Sequence, residues 1–269
     1  MKLALLIIAV ILFAALFFPL LPSLVKDWIE TPDYSHGFLI PLLSIYFLWR
    51  KRDELKSTEI IPSGKGVFII LAGLILFVLA RIGFQLFLQD LSMLIVLFGL
   101  IYAQAGKEMA KKVAFPIAYL IFMIPLPSLI LTTITFHLGL LSTKLAYFSI
   151  KVLGISATRA GNIINLETCS LVVAAPCSGL RSLIVFMAAS LAIGYLFQKT
   201  IKNRIMLFFI AIILAVLMNT IRLAVTAIFA DTLKLKAIPM TIHDRTGIVV
   251  VILGFIILYW ISDLLAKNK

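Results

Sequence analysis

The chain has 269 residues, of which 62% are hydrophobic and only 13% are charged, and its mean hydropathy is +1.14. This composition excludes an ordinary soluble domain, because the apolar stretches approach the roughly 20 residues that a helix needs to cross a bilayer. The net charge of +12 would suggest nucleic-acid binding in a soluble protein. Most basic residues, however, lie in short loops between apolar segments, which membrane topology and anionic lipid explain better, so no nucleic-acid partner is expected. The sequence therefore predicts an all-α, polytopic membrane helical bundle that forms one integral-membrane domain over residues 1–269.

About eight apolar segments are predicted to cross the membrane. The first resembles a signal peptide, but it is long and lacks a small-residue cleavage site, so we interpret it as a retained span. A tight turn near Gln89 and Asp90 is predicted before the fourth span, and the three prolines of the fifth are predicted to kink or end it. The basic run at residues 50–52 and the loop at 198–204 are predicted to be cytoplasmic, as are both termini. The predicted spans cover approximately residues 3–21, 38–49, 67–83, 91–105, 113–131, 180–197, 205–229 and 248–265.

The segment 131–153 breaks this pattern, because it is apolar overall but carries His137, Lys144 and Lys151 at intervals of seven. This spacing puts the three side chains on one helix face, as in an amphipathic helix that lies in the membrane interface. An interfacial position also keeps the basic loop at 198–204 cytoplasmic and places the next loop outside. Within that loop, the alternating stretch at 162–167 predicts a small hairpin.

A polar loop becomes a long apolar run between residues 174 and 182, and Cys177 lies at this point. Pro176 disfavours helix at the preceding residue, so Ser178 and Gly179 are predicted to open a helix. A thiol beside a helix start lies in a positive local field, which favours the nucleophilic thiolate.

The neighbours of this cysteine leave alternatives open. Arg181 could add to the positive field if its side chain turns back. Cys177 could instead be a buried small apolar residue, as free cysteines often are. A disulfide with Cys169 is also possible on an oxidising side of the membrane, and it would consume the thiol.

Two further polar features are predicted at the same membrane depth as Cys177. Asn219 and Arg222 are three residues apart toward the outer end of the seventh span, and therefore lie on one helix face. His243 is predicted in the short external connection before the eighth span. An arginine within a span usually faces the bundle interior, although snorkelling is an alternative, and a loop histidine is often an ordinary solvated residue. Together the three features would supply a nucleophile, a fixed cation and a group that titrates near neutral pH.

These residues resemble the exosortase/archaeosortase family of membrane-embedded cysteine transpeptidases. The stretch at residues 34–41 is similar to the N-terminal signature of the bacterial exosortase branch. Pro176 departs from the small or acidic residue expected before the cysteine, which bears on how the loop presents the thiol. The resemblance rests on Cys177-Ser178-Gly179-Leu180-Arg181-Ser182, on Asn219-Thr220-Ile221-Arg222, and on His243 ahead of Gly247.

The resemblance implies that Cys177 is the nucleophile, that Arg222 stabilises the oxyanion and that His243 is the acid/base. The substrates would be exported proteins whose C-terminal sorting signal combines a short motif, Pro-Glu-Pro in the bacterial branch, with a hydrophobic span and a basic cluster. Membrane lipid is the other expected partner, and no metal or organic cofactor is needed. The site would face the external, periplasmic side of the plasma membrane. Supporting or substrate-binding roles are implied for His36, Ser178, Gly179, Arg181, Ser182 and Asn219.

Other classes of function stay open. Arg222 and His243 could bind an anionic headgroup in a transporter or lipid-handling protein, although the two halves contain no inverted repeat or paired broken helices. A structural assembly factor without catalysis is a third possibility. His36 could equally be a loop residue that hydrogen-bonds to the backbone.

Overall fold

The computed structural model describes residues 2–174, 177–234 and 240–267, and the side chains of residues 7–174, 177–234 and 246–267. This part of the chain consists of α-helices, three short 3₁₀ segments and one small sheet. The α-helices are α1 (Lys2–Phe17), α2 (Leu21–Glu30), α3 (Leu39–Arg50), α4 (Arg52–Lys56), α5 (Lys65–Ile82), α6 (Leu86–Ala105), α7 (Lys107–Tyr119), α8 (Ser128–Val152), α9 (Leu180–Phe197), α10 (Ile201–Thr232) and α11 (Met240–Lys267). The 3₁₀ segments are Phe18–Leu20, Pro32–Phe38 and Leu120–Met123, and the strands are β1 (Ala157–Ala160), β2 (Ile163–Leu166) and β3 (Ser170–Val172).

Among the described residues, seven helical segments are long and apolar enough to cross a membrane. The predicted class, a polytopic helical membrane bundle, is confirmed, with seven candidate spans where about eight were predicted. The candidate spans are Ile7–Glu30, Lys65–Ile82, Leu86–Ala105, Ser128–Val152, Leu180–Phe197, Ile201–Thr232 and Thr246–Lys267.

Two predicted spans differ from the observed helices. The segment predicted at 38–49 is α3, whose 12 residues are too few for a straight crossing. The segment predicted at 113–131 divides into α7 and the 3₁₀ turn Leu120–Met123. Pro125 and Pro127 follow that turn and precede α8, so the prolines end the segment as predicted.

The turn predicted near Gln89 and Asp90 is wrong. Both residues lie inside α6, where they are 2% and 4% exposed. The chain turns earlier, where Phe84 has a φ of 53° and the Gln85 N–H donates to the Ala80 carbonyl at 2.9 Å. Polar side chains suggested a solvated turn, but Gln89 instead accepts a hydrogen bond from the Arg81 guanidinium at 3.4 Å, within the helix pair α5–α6.

Contacts divide the chain into two compact units, Met1–Pro127 and Ser128–Lys269. The first unit contains α1 to α7, and the second contains α8 to α11 with the sheet. The single domain predicted for residues 1–269 stays a prediction. The candidate nucleophile and arginine both lie in the second unit.

The sheet of the second unit is antiparallel, with strand order β1-β2-β3. Ala160 pairs with Ile163 across a two-residue turn, which confirms the predicted hairpin and adds β3 to it. One face of the sheet is buried: Ile164, Leu171 and Val173 pack with Leu223 of α10 in one hydrophobic cluster. The sheet is thereby anchored to the helix that carries Arg222.

Helix α8 has two distinct faces. His137, Lys144 and Lys151 are all exposed, as their seven-residue spacing predicted. The opposite face buries small and apolar residues at helical spacing, namely Gly139, Ser142, Thr143, Ala146 and Ile150. With 25 residues, α8 is also long enough to cross the bilayer. A membrane-spanning α8 is therefore an alternative to the predicted interfacial helix.

Helices α9, α10 and α11 pack around a second cluster that includes Phe186, Leu207 and Leu258, all fully buried. At one end of these helices, the Gln198 amide donates to both the carbonyl and the hydroxyl of Ser262, at 2.6 and 2.7 Å. The opposite ends of α9 and α10 carry the candidate site.

Candidate active site

Cys177 lies three residues before the first residue of α9, and a backbone hydrogen bond holds it in place. Its N–H donates to the Ala174 carbonyl at 2.9 Å. The side chain is half-buried and packs against the cluster that includes Ile164 and Leu171. The helix begins at Leu180, close to the predicted start. Pro176 lies outside the described residues, so its predicted influence on the loop stays a prediction.

Asn219 connects this turn to two helices. Its amide nitrogen donates to the Cys177 carbonyl at 3.2 Å and to the Ser142 hydroxyl at 3.1 Å. The Ser142 hydroxyl in turn donates to the Ser178 carbonyl at 3.3 Å. Because Asn219 is only 2% exposed, these bonds form in a dry environment, where they hold a defined geometry more strongly than in water. The network ties the cysteine turn to α8 and α10.

Gly179 makes this close approach possible. It caps α9 with a φ of +94°, a conformation that side-chain-bearing residues adopt only with strain. A Cβ at this position would lie 2.7 Å from Cγ and Nδ2 of Asn219. Glycine is therefore required here both by the backbone and by the neighbouring amide.

Arg222 lies one helical turn beyond Asn219 on the same face of α10, as predicted. Its side chain is half-buried and lies beside α11, since a Cβ added to Gly247 would be 3.6 Å from Nη1. The backbone around it is also anchored: the Thr226 hydroxyl donates to the Arg222 carbonyl at 2.7 Å and lies 3.3 Å from the hydroxyl of Thr246. The guanidinium is thus placed between α10 and the start of the last candidate span.

His243 lies in the first turn of α11, and not in the short connection predicted before the eighth span. The helix already begins at Met240. The side chain of His243 lies outside the described residues. Its backbone position is four residues before Gly247, which places it on the α11 face that borders Arg222.

The remaining residues of the cysteine motif occupy different environments. Ser178 is 1% exposed, and its hydroxyl accepts a hydrogen bond from the Leu180 N–H at 3.4 Å. Ser182 is half-buried within α9, whereas Arg181 is exposed. The predicted effect of Arg181 on the thiol stays a prediction.

His36 belongs to the first unit, in the 3₁₀ segment Pro32–Phe38. Its Nε2 donates to the Phe122 carbonyl at 3.1 Å, which is the backbone contact weighed against a substrate role. Trp28 donates similarly to the Met123 carbonyl at 2.8 Å. These bonds fasten the N-terminal signature to the turn before α8, and a substrate contact for His36 stays a prediction.

Tyr34 makes a further hydrogen bond from the N-terminal signature to the segment before α8. Its hydroxyl accepts a hydrogen bond from the Leu126 N–H at 3.0 Å. Burial raises the pKa of Tyr34, although the bond from Leu126 acts in the opposite direction. The phenol is therefore neutral at physiological pH.

Ser142 is the residue of this site that sequence reasoning missed. It is 1% exposed and bridges the amide of Asn219 to the backbone of Ser178. The available signal was the spacing of Gly139, Ser142, Thr143 and Ala146, which marks a buried face of α8. The charged residues on the opposite face dominated the interpretation of that segment.

Comparison with known proteins identifies the family of this chain. Residues 28–260 match the family model described as transmembrane exosortase, of the EpsH type, and so include every candidate site residue. No curated protein and no solved structure matches the chain. The chain belongs to the transmembrane exosortase family, whose members are membrane peptidases and transpeptidases that process the sorting signals of exported proteins.

Proposed function

We propose that the protein is a cysteine-type sorting peptidase and transpeptidase that cleaves C-terminal signals made of a short motif, a hydrophobic span and a basic cluster. The observation that carries the proposal is the bond from Asn219 to the Cys177 carbonyl, one helical turn from Arg222. This bond fixes a thiol-bearing turn to the helix that carries a cation, and acyl transfer through a thiolate can use such a cation to stabilise the oxyanion.

The proposed reaction begins with loss of the Cys177 thiol proton to His243. The sulfur attacks the carbonyl carbon of the scissile peptide bond, and the oxygen of the tetrahedral intermediate becomes negatively charged. Arg222 neutralises that charge with a positioned, permanently protonated guanidinium. His243 then gives the proton to the leaving amine as the C–N bond breaks, and a thioester remains on Cys177.

Water or an incoming amine resolves the thioester in the second half of the reaction. Its attack expels the Cys177 sulfur, while His243 accepts the proton of the nucleophile and returns a proton to the thiolate. Water completes a hydrolysis and an amine completes a transfer. The proposed partners are exported proteins in the plasma membrane, and the proposed site faces the external, periplasmic side.

The test is processing of a tagged exported reporter whose tail carries Pro-Glu-Pro, an apolar span of about 20 residues and an arginine cluster. Cys177→Ser keeps the shape of the side chain but raises the pKa of the nucleophile far above neutral, so we expect processing to vanish. Cys169→Ala is the matched control, because Cys169 is the other cysteine of the chain and is buried. Processing by Cys177→Ser at the wild-type rate would refute the proposal.

A further inference from the structure

Strand β3 is an edge strand of the sheet, and its hydrogen-bonding pattern identifies which backbone groups point away from β2. The Val173 N–H donates to the Asn162 carbonyl at 2.9 Å, and the Cys169 carbonyl accepts from the Leu166 N–H at 2.8 Å. Backbone groups alternate in direction along an antiparallel strand. The N–H of Val172 and the backbone groups of Ser170 therefore point outward.

Among the residues that the structure describes, all outward backbone groups of β3 except the Val172 carbonyl have no hydrogen-bond partner. Ser170 and Val172 both have exposed side chains, with Val172 52% exposed. The Val172 carbonyl already accepts from the Ala174 N–H at 3.1 Å. The Ser170 carbonyl and the Val172 N–H are thus left as an outward acceptor and donor on the same edge, which is a template for an added strand.

This edge leads directly to the candidate nucleophile. The Ala174 N–H donates to the Val172 carbonyl, and the Cys177 N–H donates to the Ala174 carbonyl, so two consecutive hydrogen bonds link the strand to the backbone of Cys177. Leu171 belongs to the same hydrophobic cluster against which Cys177 packs. The strand and the thiol are therefore held in a fixed relation by one core.

We infer that the extended stretch of the sorting signal binds as a fourth strand on the outer edge of β3, parallel to it, an inference that rests on the proposed function. In parallel pairing, a single substrate residue donates its N–H to the Ser170 carbonyl and accepts from the Val172 N–H. The substrate then runs in the direction of β3 and delivers its following peptide bond toward Cys177. Main-chain pairing of this kind is a common mode of peptide recognition.

The geometry favours a short peptide over a second copy of this chain. The edge is three residues long and its last carbonyl is occupied, so it offers only two N–H donors and one carbonyl acceptor where a long edge would offer a row. Pro-Glu-Pro suits such a site, because the central residue keeps both backbone groups. The prolines on either side lack only N–H groups that a paired strand directs away from its neighbour.

The first experiment removes the outward donor without changing the ladder to β2. Val172→Pro eliminates one N–H on the outer edge, where proline is tolerated because it breaks no existing pairing. We expect reporter processing to fall about three- to tenfold, the loss typical of one hydrogen bond. Val172→Ala keeps the N–H, so its processing should fall less than that of Val172→Pro.

Arg159→Pro is the matched control on the opposite edge of the sheet. The register of β1 with β2 directs the Arg159 N–H outward in the same way, but that edge does not lead to Cys177. We expect its processing to be unchanged. Equal losses in Val172→Pro and Arg159→Pro, or no loss in Val172→Pro, would overturn the inference.

The second experiment does not depend on turnover or on proline being tolerated. A photo-crosslinking amino acid is placed at position 172 or 159 in a Cys177→Ala background, with the same reporter co-expressed. We expect a reporter adduct from position 172 and none from position 159. An adduct from 172 to a second copy of the enzyme, or no reporter adduct, would overturn strand addition. Processing by Cys177→Ala itself would instead refute the proposed function, so the two failures are distinguishable.

Discussion

Asn219 shows how one buried amide can hold the turn that carries the candidate nucleophile. Its two donated hydrogen bonds join the Cys177 carbonyl and the Ser142 hydroxyl, which are far apart in sequence. A buried acceptor that loses its donor retains the full penalty of having left water. The position of the Cys177 backbone therefore depends on the side chain of Asn219.

Asn219→Ala is expected to lower both stability and reporter processing. Removal of the amide takes the donor from the buried Ser142 hydroxyl and from the half-buried Cys177 carbonyl, which costs about 1–3 kcal/mol and loosens the turn that carries Cys177. Thermal unfolding in detergent and the reporter assay measure the two effects. Thr220→Ala is the control, because the Thr220 hydroxyl donates only within its own helix, to the Val216 carbonyl at 2.9 Å. Wild-type melting and processing in Asn219→Ala would contradict this role.

At the scale of the element, the start of α9 depends on backbone geometry that only glycine provides without strain. Gly179 has a φ of +94°, and the side chain of Asn219 lies so close that a Cβ added to Gly179 would clash with it. The helix start, the turn and α10 therefore form one rigid element.

The Gly179→Ala variant is expected to lose processing and to be strongly destabilised. Gly154→Ala is a matched control: Gly154 has a φ of +80°, but a Cβ there meets nothing within 4 Å. The control carries only the left-handed backbone penalty of roughly 1–2 kcal/mol. Melting temperatures and processing of the two variants separate the effects. Equal losses of melting temperature and processing in the two variants would show that the contact with Asn219 does not contribute.

Local sequence patterns predicted the elements well, and long-range contacts poorly. The apolar run at 180–197 coincides with α9, and the alternation at 162–167 lies on the observed hairpin. The link between Ser142 and Asn219 joins residues 77 positions apart, and depends on how two helices pack. The turn predicted at Gln89 and Asp90 is wrong for the same reason. The burial of these side chains in α6 depends on tertiary packing, which the local sequence does not show.

At the scale of the whole molecule, the position of the Cys177 loop depends on the number of crossings that precede it. Helix α8 is a candidate span, whereas the predicted fifth span is divided at Leu120. If α8 crosses the membrane in place of the predicted fifth span, one crossing still separates the lysines at 107–112 from Cys177. The loop is therefore expected on the side opposite the basic loops under either arrangement.

Single introduced cysteines test this sidedness. In a background with Cys169 and Cys177 both changed to alanine, we place a cysteine at exposed Ala160 or at Ile201, which is 73% exposed. An impermeant maleimide should label position 160 in whole cells, and position 201 only after permeabilisation, because basic loops remain cytoplasmic. The reverse pattern would invert the topology.

In the proposed reaction, Cys177 carries the acyl group of the substrate. The decisive measurement is mass spectrometry of the acid-quenched enzyme after exposure to the tagged reporter. We expect the reporter fragment on the peptide that contains Cys177, released by neutral hydroxylamine as a thioester and retained in Cys169→Ala. A hydroxylamine-sensitive adduct that persists in Cys177→Ala, or one that maps to another residue, would contradict the account.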